Sequence, residues 1–300
     1  MPPLYAPPPS EQIFKSFLPG KYIGFSISKY FASRFTYLSE QDWIELILKG
    51  KIKVNEVVVS PDYILRQHDF IYSNLGLCQE PPVNRNLEVL FEDANVRVFN
   101  KVAPIPVHPS GRFFKNSMTE LLKKKYPAEI PRPVQRLDVA TTGVLVFART
   151  RKAAAFLMDE FSGQRVYKEY LAVVEGTPKK RCFTVDEPIG RITKTRWGVG
   201  SKTQSAKPAI TDFEWLYSWE GLSLLKVVPR SGRTNQIRVH LKSLGLPIWN
   251  DPVYGRGEND PAVEMGLHAR RLRFNCLDQS HDIEAPWPRH FRSLMELNWG

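Results

Sequence analysis

The spacing of apolar residues changes along the chain and separates a short first part from a longer second part. Within 21–75, apolar side chains recur at helical spacing between Ser39, an N-cap residue type, and Gly50, which predicts a helix there. The alternating KIKVN at 51–55 and the apolar VVV at 57–59 then predict a short β-hairpin. A helix followed by a hairpin indicates a small α+β domain.

The second part mixes strands and helices without the regular alternation of a parallel sheet. Ser117 and Thr150 each precede a stretch with helical spacing, and the apolar face of the second helix is predicted to include Met158. Runs typical of strands are LEVLFED (87–93), VRVFNK (96–101), VLVFA (144–148), YLAVVE (170–175), DFEWLY (212–217) and LSLLKVVP (222–229). This order predicts an α+β fold whose sheet is mixed and largely antiparallel, with flanking helices.

Four segments follow from these patterns. The proline-rich residues 1–20 are predicted to form an extended arm. Residues 21–78 form the small domain, and 79–86, rich in proline and asparagine, form a linker. Residues 87–300 then form the larger domain.

Composition places the chain among ordinary globular proteins, with 42% hydrophobic and 24% charged residues. Three scattered cysteines predict neither disulfides nor a metal site, and indicate a reducing, intracellular compartment. No apolar run reaches the roughly 18 residues of a membrane helix, so we expect no membrane anchor. Cytoplasm, nucleus and organelle all stay open.

Positive charge is concentrated in one half of the chain. The net charge is +11, but residues 101–250 hold 26 Lys and Arg against 12 Asp and Glu. Such a field suits a polyanion, and nucleic acid is the commonest polyanionic partner of an intracellular protein. A merely basic surface is the alternative that charge alone allows.

The segment QRLDVATTGVLVFA (135–148) is the most informative for chemistry. A polar loop containing Arg136 and Asp138 passes through the turn-forming trio Thr141-Thr142-Gly143 into a strongly apolar strand. That order places Asp138 at the rim of a buried sheet. In isolation, such an aspartate is more often a turn or cap residue than a nucleophile.

Five segments, taken together in this order, resemble the RluA-like family of RNA pseudouridine synthases. They are NKVAPIPVHPS (100–110), QRLDVATTGVLVFA (135–148), VYKEYLAVVEG (166–176), SGRTNQIRVHLKSLGLPIWNDPVYG (231–255) and LHARRLRF (267–274). Residues 21–78 resemble the small RNA-binding domain named after ribosomal protein S-four. The resemblance implies an isomerase that converts uridine in rRNA or tRNA to pseudouridine, with RNA as its partner and without a cofactor or metal.

The resemblance also implies the catalytic residues. Asp138 corresponds to the family's nucleophile and Tyr170 to its active-site tyrosine, which lies against the base. A buried carboxylate tends to take up a proton, and Arg238 is the fixed cation expected to prevent this. Arg238 is predicted on a helix that opens near Thr234 and buries Leu244.

Four further residues are predicted to bind the RNA substrate: Arg136, His108, Arg233 and His240. For the two histidines, a structural role in a loop and a helix is the competing interpretation. No obligatory protein partner is inferred, and two linked RNA-binding domains can work as a monomer.

The chain departs from the family pattern at four positions: Val102, Pro104, Gln135 and Asn235. These departures keep open a second hypothesis, a catalytically idle RNA-binding or RNA-assembly factor on the same fold. A third hypothesis is an RNA N-glycosidase, which would let water capture the sugar and release free uracil.

Overall fold

The computed structural model describes residues 4–193, 195–200, 203–257, 259–260 and 263–291. These residues divide into two compact units. The smaller unit contains Tyr5–Pro82 and Pro109–Asn116. The larger unit contains Val83–His108 and the described residues from Ser117 onward. No helix among the described residues is long and apolar enough to cross a membrane.

The smaller unit combines one antiparallel sheet with two helices. Its elements are β1 (Ser10–Phe17), α1 (Ile27–Arg34), α2 (Glu40–Leu48), β2 (Ile52–Val54), β3 (Val57–Val58) and β4 (Phe70–Cys78), with a 3₁₀ turn at Gly20–Tyr22. The strand order is β1-β4-β2-β3. The core contains Ile27, Tyr30, Trp43, Ile47, Ile52 and Leu65.

Two local features of the smaller unit follow from its sequence. Ser39 and Asp42 form a reciprocal capping box at the start of α2. The carboxylate of Glu80, which is buried, accepts backbone N–H groups of Phe114, Lys115 and Asn116 at 2.8 to 3.0 Å. This buried carboxylate ties the segment 109–116 to the smaller unit.

The larger unit is built around a ten-stranded sheet. Its strands and helices are β5 (Leu87–Glu92), β6 (Val96–Lys101), α3 (Met118–Lys125), β7 (Arg132–Pro133), β8 (Thr142–Ala148), α4 (Arg151–Ser162), β9 (Tyr167–Glu175), β10 (Cys182–Asp186), β11 (Ile189–Arg191), β12 (Trp197–Val199), β13 (Gln204–Lys207), β14 (Ile210–Trp219), β15 (Leu222–Pro229), α5 (Gln236–Ser243), β16 (Leu267–Cys276) and β17 (Gln279–Glu284).

The main sheet has the order β10-β14-β15-β9-β16-β8-β6-β5, with β17 beside β16 and β7 beside β8. Each described pairing in this sheet is antiparallel except that between β8 and β16. The strands β12-β11-β13 form a separate small sheet. The predicted α+β class with a mixed, largely antiparallel sheet is confirmed.

The structure corrects two sequence-based predictions about the larger unit. Met158 on α4 is 60% exposed, whereas Leu157 is fully buried, so the buried face of this helix is narrower than the predicted apolar face. Thr142 and Gly143, predicted to be turn residues, are the first two residues of β8. Gly143 pairs with Ala269 of β16 at a φ of +109°, a conformation that glycine adopts without steric cost.

Candidate active site

Asp138 lies in the loop between β7 and β8, as its place before an apolar strand predicts. The backbone N–H of Thr141 donates to the Asp138 carbonyl at 3.1 Å, which closes a turn after the aspartate. Leu137 is buried beside it. The Asp138 side chain itself is 24% exposed, so its carboxylate remains accessible from a cavity.

Lys101 at the end of β6 fixes the loop behind Asp138. Its buried ammonium donates to the carbonyl oxygens of Val102, Val139 and Thr141 at 3.1, 3.1 and 2.7 Å. Burial lowers the pKa of Lys101 to about 7, while the negative charge of Asp138 acts in the opposite direction. The three carbonyl contacts hold the backbone that follows Asp138.

Arg238 on α5 is held between two carboxylates. Its Nη1 donates to Asp138 Oδ2 at 2.8 Å. Its Nε and Nη2 donate to the two oxygens of Asp251 at 2.7 and 2.8 Å, and the Asp251 side chain has no exposed surface. Burial disfavours the charge on Arg238, but the hydrogen bonds and charges of Asp251 and Asp138 outweigh it and raise the pKa of the guanidinium. Arg238 is therefore a fixed cation beside the Asp138 carboxylate.

The start of α5 is shaped by Asn235 rather than by a capping threonine. Asn235 has a φ of +55°, the left-handed conformation that asparagine tolerates, and its side chain caps no helical N–H. Its Oδ1 accepts Arg238 Nη1 at 3.1 Å, and its Nδ2 donates to Tyr254 Oη at 3.1 Å. Leu244, predicted to be buried, is 46% exposed because the helix has ended at Ser243.

Tyr170 lies on β9 between two neighbouring strands. It pairs with Val227 of β15 on one side and with Ala269 of β16 on the other. Burial, and then the negative charge of Asp138, raise the pKa of the Tyr170 phenol. The phenol is therefore neutral at physiological pH and can donate or accept a hydrogen bond.

One cavity of about 290 Å³ joins these groups. Asp138, Tyr170 and Arg238 all line it. Its volume lies just below the range for small-molecule sites, about 300 to 1,000 Å³. The other charged lining residues are Arg136, Lys168 and Arg233. The cavity thus presents one carboxylate among several cations.

Arg136 and Arg233 also line the cavity, but the two histidines are not among its lining residues. His240 is fully buried, with Nδ1 at 2.9 Å from Thr211 Oγ1 and Nε2 at 3.0 Å from the Glu187 carbonyl. Its position corrects the assignment to substrate binding, because both ring nitrogens are used inside the protein. His108 lies near Arg136, whose charge adds to burial in lowering the pKa of His108.

Three residues of the site were not assigned a role from the sequence: Lys101, Lys168 and Asp251. All three fall inside the family-like segments, but the spacing of Lys101 and Asp251 does not indicate which loop or side chain they contact. Lys168 precedes Tyr170 by two positions, so the alternation of a strand places both side chains on one face. That alternation is the one signal that identifies Lys168 as a cavity residue.

The described residues contain no group of three or more His, Cys, Asp or Glu that could hold a metal ion. Gln135 and Asn235 are two of the four positions at which the sequence departs from the family pattern. Gln135 Nε2 donates to the Val144 carbonyl at 3.3 Å, and Asn235 contacts Arg238. Both departures therefore leave the ion pair between Asp138 and Arg238 in place.

Comparison with known proteins identifies the family. Residues 95–243 match the family described as RNA pseudouridylate synthase. The mitochondrial tRNA pseudouridine(32) synthase of Saccharomyces cerevisiae is 33% identical, over 76% of this chain and 50% of the relative. The ribosomal large subunit pseudouridine synthase D of Zymomonas mobilis is 30% identical, over 96% of this chain and 98% of the relative.

A solved structure agrees with this assignment. The human RNA Pseudouridylate Synthase Domain Containing 1 superposes with a TM-score of 0.60 at 29% identity, over 70% of this chain and 86% of that chain. The chain spans about half the length of the first curated relatives that it matches. From its sequence, its fold and these similarities together, the chain belongs to the RluA-like family of RNA pseudouridine synthases.

Proposed function

We propose that this chain isomerises uridine in RNA to pseudouridine, with Asp138 as the nucleophile. The observation that carries the proposal is the position of the Asp138 carboxylate, which lines a cavity and accepts a hydrogen bond from buried Arg238 at 2.8 Å. A carboxylate is a suitable nucleophile here because it can attack carbon and leave again. Arg238 keeps it ionised when a base closes the cavity.

The reaction consumes nothing, so its bonds balance within the nucleotide. Asp138 attacks the nucleotide, and the bond between the sugar and the ring nitrogen breaks. The uracil turns, carbon 5 bonds to the sugar, and the bond between Asp138 and the nucleotide breaks, which restores the free carboxylate. The proton on carbon 5 is then lost and the ring nitrogen gains one. Tyr170, with its neutral phenol, lies against the base and can transfer a proton at the sugar.

RNA binding in this proposal uses the cations around the cavity. Arg136 and Arg233 contact phosphates or fill the gap left by a flipped-out nucleotide. Residues 21–78 act as a second RNA-binding domain of the S-four type. The names of two relatives specify tRNA and large-subunit rRNA, and we infer a structured RNA of one of these classes as substrate. The proposal requires no protein partner, and the chain can act as a monomer.

Release of tritium from RNA labelled at uridine carbon 5 tests this function. Total RNA from cells that lack this activity is the substrate, and the wild-type chain is compared with Asp138→Ala. The matched control is Asp212→Ala, which removes an aspartate paired with Arg230 near the surface at 2.6 Å. We expect release by wild type and Asp212→Ala, and none by Asp138→Ala.

Two outcomes contradict the proposal in different ways. Tight RNA binding by wild type without tritium release identifies an idle RNA-binding protein. Free uracil in the product identifies an N-glycosidase, because water has then captured the sugar.

A further inference from the structure

The sheet of the smaller unit has one face that its own core does not cover. Strands alternate their side chains between two faces, and Ile52, Val54 and Ile71 point into the core. Their neighbours along the same strands therefore point outward. We define the outer sheet face by five outward side chains: Lys15, Phe17, Lys53, Phe70 and Tyr72.

The strand register places these five side chains in two adjacent rows. Lys15 of β1 and Lys53 of β2 both pair with Tyr72 of β4, so one ring lies between two lysines. In the next row, Phe17 of β1 pairs with Phe70 of β4. Directly paired residues of antiparallel strands lie on the same face. The result is a patch of three aromatic rings flanked by two cations.

The geometry of the patch leaves ring surface free. Phe17 is 68% exposed and contacts Phe70 edge-to-face, with 5.1 Å between the ring centroids. Lys15 Nζ lies 5.8 Å from the centre of the Tyr72 ring. Neither lysine has an ion pair among the residues that the structure describes. The acidic residue Glu11 is engaged by Asn74 further along the sheet.

Phe17 is exposed and Tyr72 is half-buried, and both lie near lysines that have no ion pair among the described residues. This combination has the chemistry of a single-stranded nucleic acid site. Every base has a π face that stacks on an aromatic side chain, and lysines neutralise the phosphates between stacked bases. Protein–protein interfaces, in contrast, are depleted in lysine relative to the rest of the surface. The combination on this face therefore favours RNA over a protein partner.

We propose that the outer sheet face binds an unpaired stretch of the RNA substrate by stacking bases on Tyr72 and Phe17, with Lys15 and Lys53 at the phosphates. This inference rests on the proposed function for the identity of the nucleic acid. It assigns a binding surface with base contacts to a domain for which the sequence indicates only RNA binding.

The test measures binding of a fluorescein-labelled oligouridine of about twelve nucleotides to the full chain, within the usual site sizes for such surfaces. Phe17→Leu combined with Tyr72→Leu removes both rings and keeps apolar side chains. We expect this double variant to bind about tenfold more weakly or worse. The single variant Tyr72→Phe keeps both aromatic rings, so it should bind the oligouridine as the wild type does.

Leu77→Ala is the matched control, since Leu77 is a large exposed side chain on the same strand, β4. It should bind the oligouridine as the wild type does. A 4-thiouridine in the same oligonucleotide should crosslink to β1 or β4 on irradiation. Thermal melting of each variant shows whether the smaller unit is still folded.

Two results overturn the inference. One is unchanged oligouridine affinity in the folded double variant. The other is a dimer of the wild type, seen by light scattering, together with a monomeric double variant whose RNA affinity is unchanged. The outer sheet face would then bind a second copy of the chain. Tritium release by the wild-type preparation tests the proposed function separately. Tritium release by the wild type, together with unchanged oligouridine affinity in the double variant, would reject only RNA binding by the outer sheet face.

Discussion

Arg238 is the residue on which the site depends, because it contacts carboxylates from two other loops. The sequence predicts its partnership with Asp138 through the family-like motifs, although 100 positions separate the two residues. Asp251 could not be predicted in the same way. Its role depends on the loop after α5 folding back beneath the guanidinium, and neither periodicity nor spacing indicates that return.

Asp251→Asn tests whether Arg238 needs its second carboxylate. The change removes the charge that holds two of the guanidinium nitrogens, so Arg238 should shift and Asp138 should lose its alignment. We expect the single-turnover rate at saturating RNA to fall at least about tenfold. Loss of one partner of a buried ion pair should also lower the free energy of unfolding by about 3 to 5 kcal/mol.

Asp212→Asn is the control for that prediction, because Asp212 pairs with Arg230 nearer the surface. An ion pair of that kind is worth at most about 1 kcal/mol, so stability and rate should stay close to wild type. An Asp251→Asn chain with the wild-type rate would show that Asp251 does not position Arg238.

Tyr170 provides a prediction about pH. Its pKa is raised from the ordinary value of 10.0 by burial and by Asp138, so the neutral phenol persists to higher pH than in a free tyrosine. Titration of wild type and Tyr170→Phe, followed by the ultraviolet absorbance of tyrosinate, should give the same curve up to pH 10. An additional ionisation in wild type below that pH would contradict the environment described for Tyr170.

At the scale of elements, the sequence predicts which segments form strands better than how those strands meet. The apolar run at 144–148 is a strand, as predicted, but β8 begins two residues earlier. The reason is non-local: β8 and β16 approach closely at Gly143 and Ala269. A Thr-Thr-Gly trio is typical of a turn, and the strand on the far side of that contact lies more than 120 positions away.

Gly143→Ala tests this close approach. A Cβ at Gly143 would lie 2.1 Å from the Ala269 carbonyl oxygen, and the backbone there has a positive φ. Both effects destabilise the alanine, so we expect a loss of several kcal/mol in the free energy of unfolding, measured by denaturant titration.

Gly245→Ala separates the two effects. Gly245 also has a positive φ, of +72°, but nothing lies within 4 Å of its added Cβ. We expect a loss of about 1 to 2 kcal/mol, the cost of the backbone conformation alone. Equal losses for the two variants would show that the contact between β8 and β16 is looser than described.

At the scale of the whole molecule, the α+β class was predictable because strand and helix patterns alternate irregularly. The strand order was not, since the sheet places β16 between β8 and β9, and no local pattern encodes a pairing over such separations. The concentration of positive charge was visible in the composition. The structure was needed to show that four of these cations, Arg136, Lys168, Arg233 and Arg238, line one cavity.

The charge distribution predicts how RNA binding depends on salt. Arg136 and Arg233 line the cavity and have no ion pair among the described residues. Arg136→Ala and Arg233→Ala should each reduce the slope of log affinity against log salt by about 0.7 to 0.9. Arg165→Ala is the control, because Asp159 and Glu160 already neutralise that exposed arginine. A slope unchanged by either cavity variant would place the RNA elsewhere.

Asp138 is proposed to act as a nucleophile through its charge. The most direct measurement is pseudouridine formed per RNA molecule, determined by nucleoside chromatography under single-turnover conditions for wild type and Asp138→Asn. Asparagine keeps the shape of the side chain and removes the carboxylate. We expect pseudouridine from wild type and none from Asp138→Asn at equal RNA binding. Pseudouridine formation by Asp138→Asn at the wild-type rate would contradict it.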